Sequence, residues 1–539
     1  MTADAVNWRD DAASVDALWR HAAERFAARP LIEFEAREIS YGELADAVDR
    51  TAARLAALGI APGAIVAIHL PNSPYFVIAL LAAFRLGCGV VNLSPLDSPR
   101  EIKFKLGDTG ARVLFTSADD SCLANARALL TDGTIDHAIV CDDASWRRAP
   151  PAWRADRGMH DLAALLREPI AAVARAAVKR DDLALIQYTG GTTGAPKGAV
   201  LTHANLLDAA RIFDGRMHAE PTARPGEERH VAVLPLFHIY ALVGVLLRAI
   251  RNGEMLMLRA RFDPDQVLRD IGQGRATWFF AVPTMLIALL ECPRIAECDF
   301  ASLSYCISGG APLPQEVADR FAAATGVRPV VGWGMTETSG AGTLGASGES
   351  TDAGRVGKPL PDTRIEIVAM DDAARVLRPG EVGEVRIAGP QVMRGYWQRP
   401  EETAAAFGGG MLLTGDVGYF DPDGILVLVD RKKDLIISSG YNVYPRVVED
   451  AIYEHPAVEE VLVYGAPDSY RGEIAVAAVK LRASAGTLSL EGLRGFLADR
   501  LGRHELPAAL EIHDALPRTA VGKLSRKELR SVGQQREAR

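Results

Sequence analysis

The residues with the clearest capacity for chemistry stand together in one stretch, LALIQYTGGTTGAPKGAVLTHANL, at positions 183–206. An apolar run over 183–188 has the length of a buried strand and opens into Thr189-Gly190-Gly191-Thr192-Thr193-Gly194. Glycines let the backbone approach a ligand and turn its N–H groups inward. Threonines add hydroxyl donors and Lys197 adds a point charge, a set suited to cradling a polyphosphate. A Walker A loop is excluded, because that pattern needs Gly directly before Lys, where Pro196 stands. A short apolar run over 199–201 leads to Thr202, which is placed to cap a helix carrying Leu206 and Leu207. On these residues alone, a flexible Gly/Thr surface loop between two strands fits as well.

Other candidates follow along the chain. His238 ends the run VAVLPLFH ahead of an apolar helix, a junction where a lone histidine is more often structural than functional. Ser308-Gly309-Gly310-Ala311-Pro312 places small residues at the end of an expected strand, where a flat base can lie against backbone; a tight turn reads equally well. Gly332-Trp333-Gly334 lacks the third glycine of a dinucleotide fingerprint, but Trp333 offers an aromatic face. Beyond Met335, Thr336 is a hydroxyl donor and Glu337 a hard oxygen ligand of the kind Mg²⁺ takes. Asp416, in Thr414-Gly415-Asp416 after an expected strand at 411–413, can accept from both hydroxyls of a ribose, although aspartate is also common in turns. The run Asp430-Arg431-Lys432-Lys433-Asp434 reads by itself as a solvated turn, and Gly522-Lys523 as a loop with a solvent lysine.

Taken in this order, the elements resemble the adenylate-forming superfamily, in its acyl-CoA synthetase and fatty acid–CoA ligase branch. The resemblance covers nearly the whole chain. It departs from the usual signature at Gly190, where serine is common, and at Trp333, where tyrosine is. It implies that Thr189, Gly190, Gly191, Thr192, Thr193, Gly194 and Lys197 hold the triphosphate of ATP. Gly310, Ala311, Pro312, Trp333, Gly334 and Met335 would line the adenine, and Asp416 and Arg431 would hold the ribose. Thr336 would meet the α-phosphate, Thr189 and Glu337 would hold Mg²⁺, and His238 would border the carboxylate pocket. Lys433 becomes an interdomain hinge, Gly440 and Tyr441 part of a tunnel for the CoA thiol, and Lys523 a mobile catalytic lysine. The implied reaction is acyl-AMP formation followed by thioester formation. Apolar Phe237, Tyr240 and Leu242 favour a medium- or long-chain fatty acid; aryl and dicarboxylic acids stay open, as does a carrier protein in place of CoA. The run through Tyr240 has no aspartate for an amino-acid ammonium. A non-enzymatic nucleotide-binding protein would have no use for Lys523.

These residues need a scaffold. At 539 residues the chain exceeds one core, so two or more domains are expected. A net charge of −9 disfavours nucleic acid and anionic membrane as partners, so phosphates must be held by local groups. Six scattered cysteines without a CxxC pair, and no HExxH, argue against zinc and for free thiols in a reducing cytoplasm. The polar, acidic N-terminus does not read as a signal peptide, and the apolar run at 231–247 reads as buried core rather than a membrane span. Strands alternating with helices over the first part of the chain predict a parallel, doubly wound sheet. The expected fold is α/β. Residues 1–432 form a large domain, with two wound sheets and a β-rich subdomain implied by the resemblance. Residues 433–539 form a small α+β lid. The stretch 383–397 is expected to carry structure rather than chemistry.

Overall fold

The computed structural model describes residues 10–143, 146, 153–189, 196–349, 354–438, 441–468, 471–483, 485–518, 524–526 and 529. Short apolar runs between glycine- and proline-marked turns become the strands of an eight-stranded sheet. Six of them are parallel: Ile65–His69, Gly89–Asn92, Val113–Ser117, His137–Cys141, Met159–Asp161 and Leu183–Thr189. Most are buried on both faces, as a parallel sheet covered by helices requires. The strand Lys197–Thr202 turns back antiparallel on Leu183–Thr189, and the two-residue strand Gly395–Tyr396 adds the edge. Helix Asp120–Thr131 and the strands His137–Cys141 and Met159–Asp161 go beyond the elements expected from the sequence.

A second sheet of nine strands has a parallel centre built from Tyr305–Ser308, Trp278–Ala281, Arg229–Ala232 and Met255–Leu258. Helix Pro74–Arg85 is apolar all round and buried along its whole length, the signature of a helix inside a core rather than on a surface. It belongs to the main hydrophobic cluster, which also takes in inward-facing residues of both sheets. A third, antiparallel sheet contains Arg364–Val368, Gly383–Ala388, Met411–Phe420 and Leu426–Arg431. The strands Ile436–Ser438, Val458–Asp468, Gly472–Leu481 and Ala509–Ile512 form a separate sheet with its own core, packed by helices Pro445–Tyr453 and Leu490–Leu497. The fold is thus the expected α/β arrangement of a large N-terminal part and a smaller C-terminal one.

Three local expectations change. Asp416 does not follow a strand in a turn: Met411–Phe420 runs through it, and Gly415, with φ of 70°, takes the irregularity. The strand before His238 ends at Ala232, because Pro235 cannot continue a ladder, and 233–238 form a loop. The apolar run beyond it is buried core as expected, but Leu242–Leu247 winds as a π-helix. Among the described residues no helix is long and apolar enough to cross a membrane. The six cysteines are free thiols, with Cys88, Cys141 and Cys306 buried.

The small domain is closed on itself by Arg526, whose guanidinium makes two bonds of 2.6 Å to the Glu449 carboxylate and a third, of 2.8 Å, to the Val463 carbonyl. Against the large domain it places Arg482, within 3.5 Å of Glu291 and 3.3 Å of Glu316. Removing one partner of a largely buried pair strands the other charge, at a cost of about 3–5 kcal/mol. Arg526→Ala should therefore lower the unfolding transition of the small domain and leave that of the large one nearly unchanged, as read by calorimetry. A single, equally shifted transition would show that the two cores do not unfold separately.

Candidate active site

The flanks of the Gly/Thr segment are positioned by strand pairing. Thr189 ends one strand, Lys197 starts the next, and the two residues are register partners. Thr202 caps helix His203–Met217 in a capping box with Asn205, as expected from the sequence. Gly198 must be glycine, since a Cβ there would lie 2.5 Å from the Ile186 side chain. The Lys197 ammonium stands 5.3 Å from the centre of the Tyr396 ring, a cation–π distance. Gly190, Gly191, Thr192, Thr193 and Gly194 lie outside the described residues, as do Gly440 and Lys523.

Beyond the strand Val330–Trp333 the chain folds back tightly. A Cβ on Gly334 would meet the Gly340 carbonyl oxygen at 2.1 Å, so only glycine fits. Met335 then leads into the single 3₁₀ turn Thr336–Thr338, closed by Ser339 at φ 51°. Thr336 is half-buried and Glu337 is buried. The Glu337 carboxylate accepts a bond from the Tyr396 hydroxyl at 2.9 Å, and its backbone carbonyl accepts one from the Met393 N–H at 2.7 Å. Burial pushes the Glu337 carboxyl above the usual carboxylate range; the Tyr396 hydroxyl and the Arg431 charge pull partly the other way. A buried carboxylate in that condition gains from a nearby cation, which fits a divalent ion held by oxygen ligands.

Across the site Asp416 is buried with both oxygens engaged. Oδ1 accepts from Arg431 Nε at 2.6 Å, and Oδ2 from the indole Nε1–H of Trp333 at 2.8 Å. Asp416 and Arg431 face each other in register on adjacent strands, and Asp416 is also what most strongly holds the guanidinium charged. A carboxylate has about four lone-pair directions, so two remain for hydroxyl donors. The Trp333 ring packs over Gly342, where a Cβ would lie 2.6 Å from the ring.

The remaining candidates divide. Gly310, at φ 80°, and Pro312 are exposed, and Ala311 is half-buried, at the carboxyl end of Tyr305–Ser308. His238 Nδ1 accepts the Tyr240 N–H at 3.3 Å, so the ring caps the turn Ile239–Ala241. Tyr240 packs against three glycines: a Cβ would meet its ring at 3.0 Å from Gly309 and 3.6 Å from Gly244, and its Cα at 3.5 Å from Gly340. Lys433 is exposed in the turn joining Leu426–Arg431 to Ile436–Ser438. Tyr441 opens the strand Tyr441–Val443.

Sequence reasoning missed Tyr396, which joins Lys197 to Glu337. It stands in a stretch read as structural, and a Gly-Tyr pair carries no signal that reveals a partner 59 positions away.

The chain matches the AMP-binding enzyme family over residues 19–397 and the AMP-binding enzyme C-terminal domain over 447–523. It is 34% identical over 532 residues to a long-chain-fatty-acid–CoA ligase of Bacillus subtilis, covering 96% of this chain and 94% of that one. It is 35% identical over 499 residues to a feruloyl-CoA synthase of an Amycolatopsis species, covering 91% and 93%. Among solved structures it resembles ATP-bound MatB from Rhodopseudomonas palustris, with a TM-score of 0.86 at 27% identity over 96% of this chain and 99% of that one. It also resembles the o-succinylbenzoate CoA synthetase of Bacillus subtilis in complex with its acyl-adenylate, with a TM-score of 0.79 at 31% identity over 95% and 97%.

Trp333→Phe keeps a ring over Gly342 but removes the indole bond to Asp416 Oδ2. A bond to a charged group contributes about 1.5–3 kcal/mol when nothing replaces it. With water able to substitute, ATP affinity measured by calorimetry should fall roughly 3- to 10-fold, with acid affinity unchanged. Wild-type ATP affinity in this variant would show the indole N–H to be dispensable.

Proposed function

Given that the chain belongs to the AMP-binding enzyme family and is an AMP-forming acyl-CoA ligase, we propose that the acid it activates is a medium- or long-chain fatty acid. The observation that carries the nucleotide assignment is the convergence of Asp416, Arg431 and Trp333 beside Glu337, near enough for Arg431 and Asp416 to influence the Glu337 carboxyl. In this reading Asp416 and Arg431 hold the ribose, Trp333 and the 310–312 and 334–335 backbone lie against adenine, and Lys197 with the 189–194 loop takes the phosphates. Thr189 and Glu337 would hold Mg²⁺, which when bound supplies neutralisation of phosphate charge.

A carboxylate oxygen of the acid attacks the α-phosphorus of ATP, and the bond to pyrophosphate breaks. Little covalent work falls to the protein, so alignment and charge neutralisation set the rate. Lys523 would bridge the carboxylate and the α-phosphate, and Thr336 would donate to the α-phosphate oxygen. The CoA thiolate then attacks the acyl carbon and AMP leaves with the electron pair. Between the steps the domain beginning at residue 433 would turn about Lys433, bringing Gly440 and Tyr441 to the thiol path. The exposed position of Lys433, in a turn between two strands, supports this.

Support for an aliphatic acid comes from the relatives and from the apolar surroundings of Tyr240, which include Phe280, with ring centres 6.2 Å apart. One observation favours an aryl acid instead. The Tyr240 ring already occupies the space between Gly309 and Gly244, which shortens any channel, and one relative is a feruloyl-CoA synthase.

Purified enzyme with ATP, Mg²⁺, CoA and an acid panel of C6 to C18 plus ferulate should yield AMP and acyl-CoA, judged by mass, with the highest kcat/KM for a fatty acid. Preference for ferulate would transfer the assignment to the aryl reading, and acyl-AMP without acyl-CoA would point to a carrier protein as acceptor. Tyr240→Ala should move the preferred chain length upward by several carbons; an unchanged length profile would exclude Tyr240 from the acyl path.

A further inference from the structure

Tyr396 makes two contacts of different kind. Its hydroxyl donates to the Glu337 carboxylate at 2.9 Å, and its ring carries the Lys197 ammonium 5.3 Å from its centre. One side chain thus contacts both a cation and a buried carboxylate, groups whose direct pairing would consume both charges. We propose that Tyr396 is a positioning residue that holds Lys197 and Glu337 apart, so that one stays available to the triphosphate and the other to its metal ion. The proposal rests on the reading of those two residues given above.

The surroundings fix Tyr396 from both sides. Residue 396 pairs with Ala199 on the phosphate strand, and the Trp397 N–H donates to the Gly198 carbonyl at 2.7 Å. On the other side the Met393 N–H holds the Glu337 carbonyl at 2.7 Å. Residues 393–397 are therefore stitched to the strand Lys197–Thr202 and to the turn Thr336–Thr338, and the tyrosine ring has little freedom to leave.

A second anchor comes from helix Pro99–Thr109, on the far side of the same sheet. Asp108 accepts from the Tyr188 hydroxyl at 2.5 Å and from Arg399 at 2.9 Å, while its carbonyl accepts from Trp397 Nε1 at 3.0 Å. A carboxylate in the last turn of a helix opposes the helix dipole, so its place there depends on Arg399 and the Tyr188 hydroxyl. The result ties Tyr188, next to Thr189, to the residues flanking Tyr396. Asp108 thus sets the strand end and the tyrosine in one frame.

The test is calorimetric binding of ATP to the full chain at a series of Mg²⁺ concentrations, with thermal unfolding alongside. Tyr396→Phe keeps the ring and removes the hydroxyl. It should bind ATP normally without Mg²⁺ but lose at least threefold of the tightening that Mg²⁺ gives the wild type. Tyr396→Leu removes the ring as well and should also weaken ATP binding without Mg²⁺ by at least threefold, because Lys197 can then pair with Glu337. A merely structural role would lower the melting temperature and scale both affinities together. Wild-type Mg²⁺ dependence in Tyr396→Phe overturns the proposal, as does normal metal-free ATP binding in Tyr396→Leu. Glu337→Gln separates the two layers. If it alone loses the Mg²⁺ effect, the metal reading stands and the positioning role falls; if it keeps the effect, the metal reading itself falls.

Discussion

Two acids buried at one site, Glu337 and Asp416, impose the constraint to which the surrounding structure answers. An unpartnered buried carboxylate costs several kcal/mol and would neutralise itself by taking up a proton. Each acid therefore needs donors that arrive from elsewhere in the chain. Trp333 comes from the nine-stranded sheet and Arg431 from the antiparallel one to satisfy Asp416. Tyr396 comes from the edge of the eight-stranded sheet to satisfy Glu337. The site exists where three sheets meet because no single sheet carries both acids and all of their partners.

The same junction explains the glycines that matter. Gly334 lets the strand end and the following turn pass at backbone contact with Gly340, which brings Thr336 and Glu337 back toward the phosphate strand. Gly198 lets its strand pair closely with Leu183–Thr189, past the Ile186 side chain. A methyl group at Gly334 would push the strand end away from Gly340, and one at Gly198 would push its strand off Ile186. Local backbone freedom and the electrostatics of the site are one requirement here.

The small domain follows another logic. Its core is separate, and Arg526 closes it from within. Arg482, with its partially exposed partners Glu291 and Glu316, is a contact to the large domain that costs little to break. Between the two lies the exposed turn at Lys433. A buried bond of 2.9 Å from the Arg446 N–H to the Asp430 carboxylate also crosses from one part to the other.

The sequence by itself determined the elements and the family. Short apolar runs, capping residues such as Thr202, and the Gly/Thr and Thr-Glu segments are local signals, legible because strand burial, helix capping and backbone conformation depend on neighbours a few positions apart. Local pattern also pointed to Asp416, but as a turn residue, because the irregularity at Gly415 looks from sequence like a strand end. Only the tertiary structure decided that Trp333 donates to Asp416, that Asp108 anchors Arg399 across 291 positions, and that Tyr396 contacts both Lys197 and Glu337. Those pairings join residues on elements far apart in the chain, and no periodicity encodes them. They arise when burial removes water from acids that must then find donors wherever the packed sheets bring them.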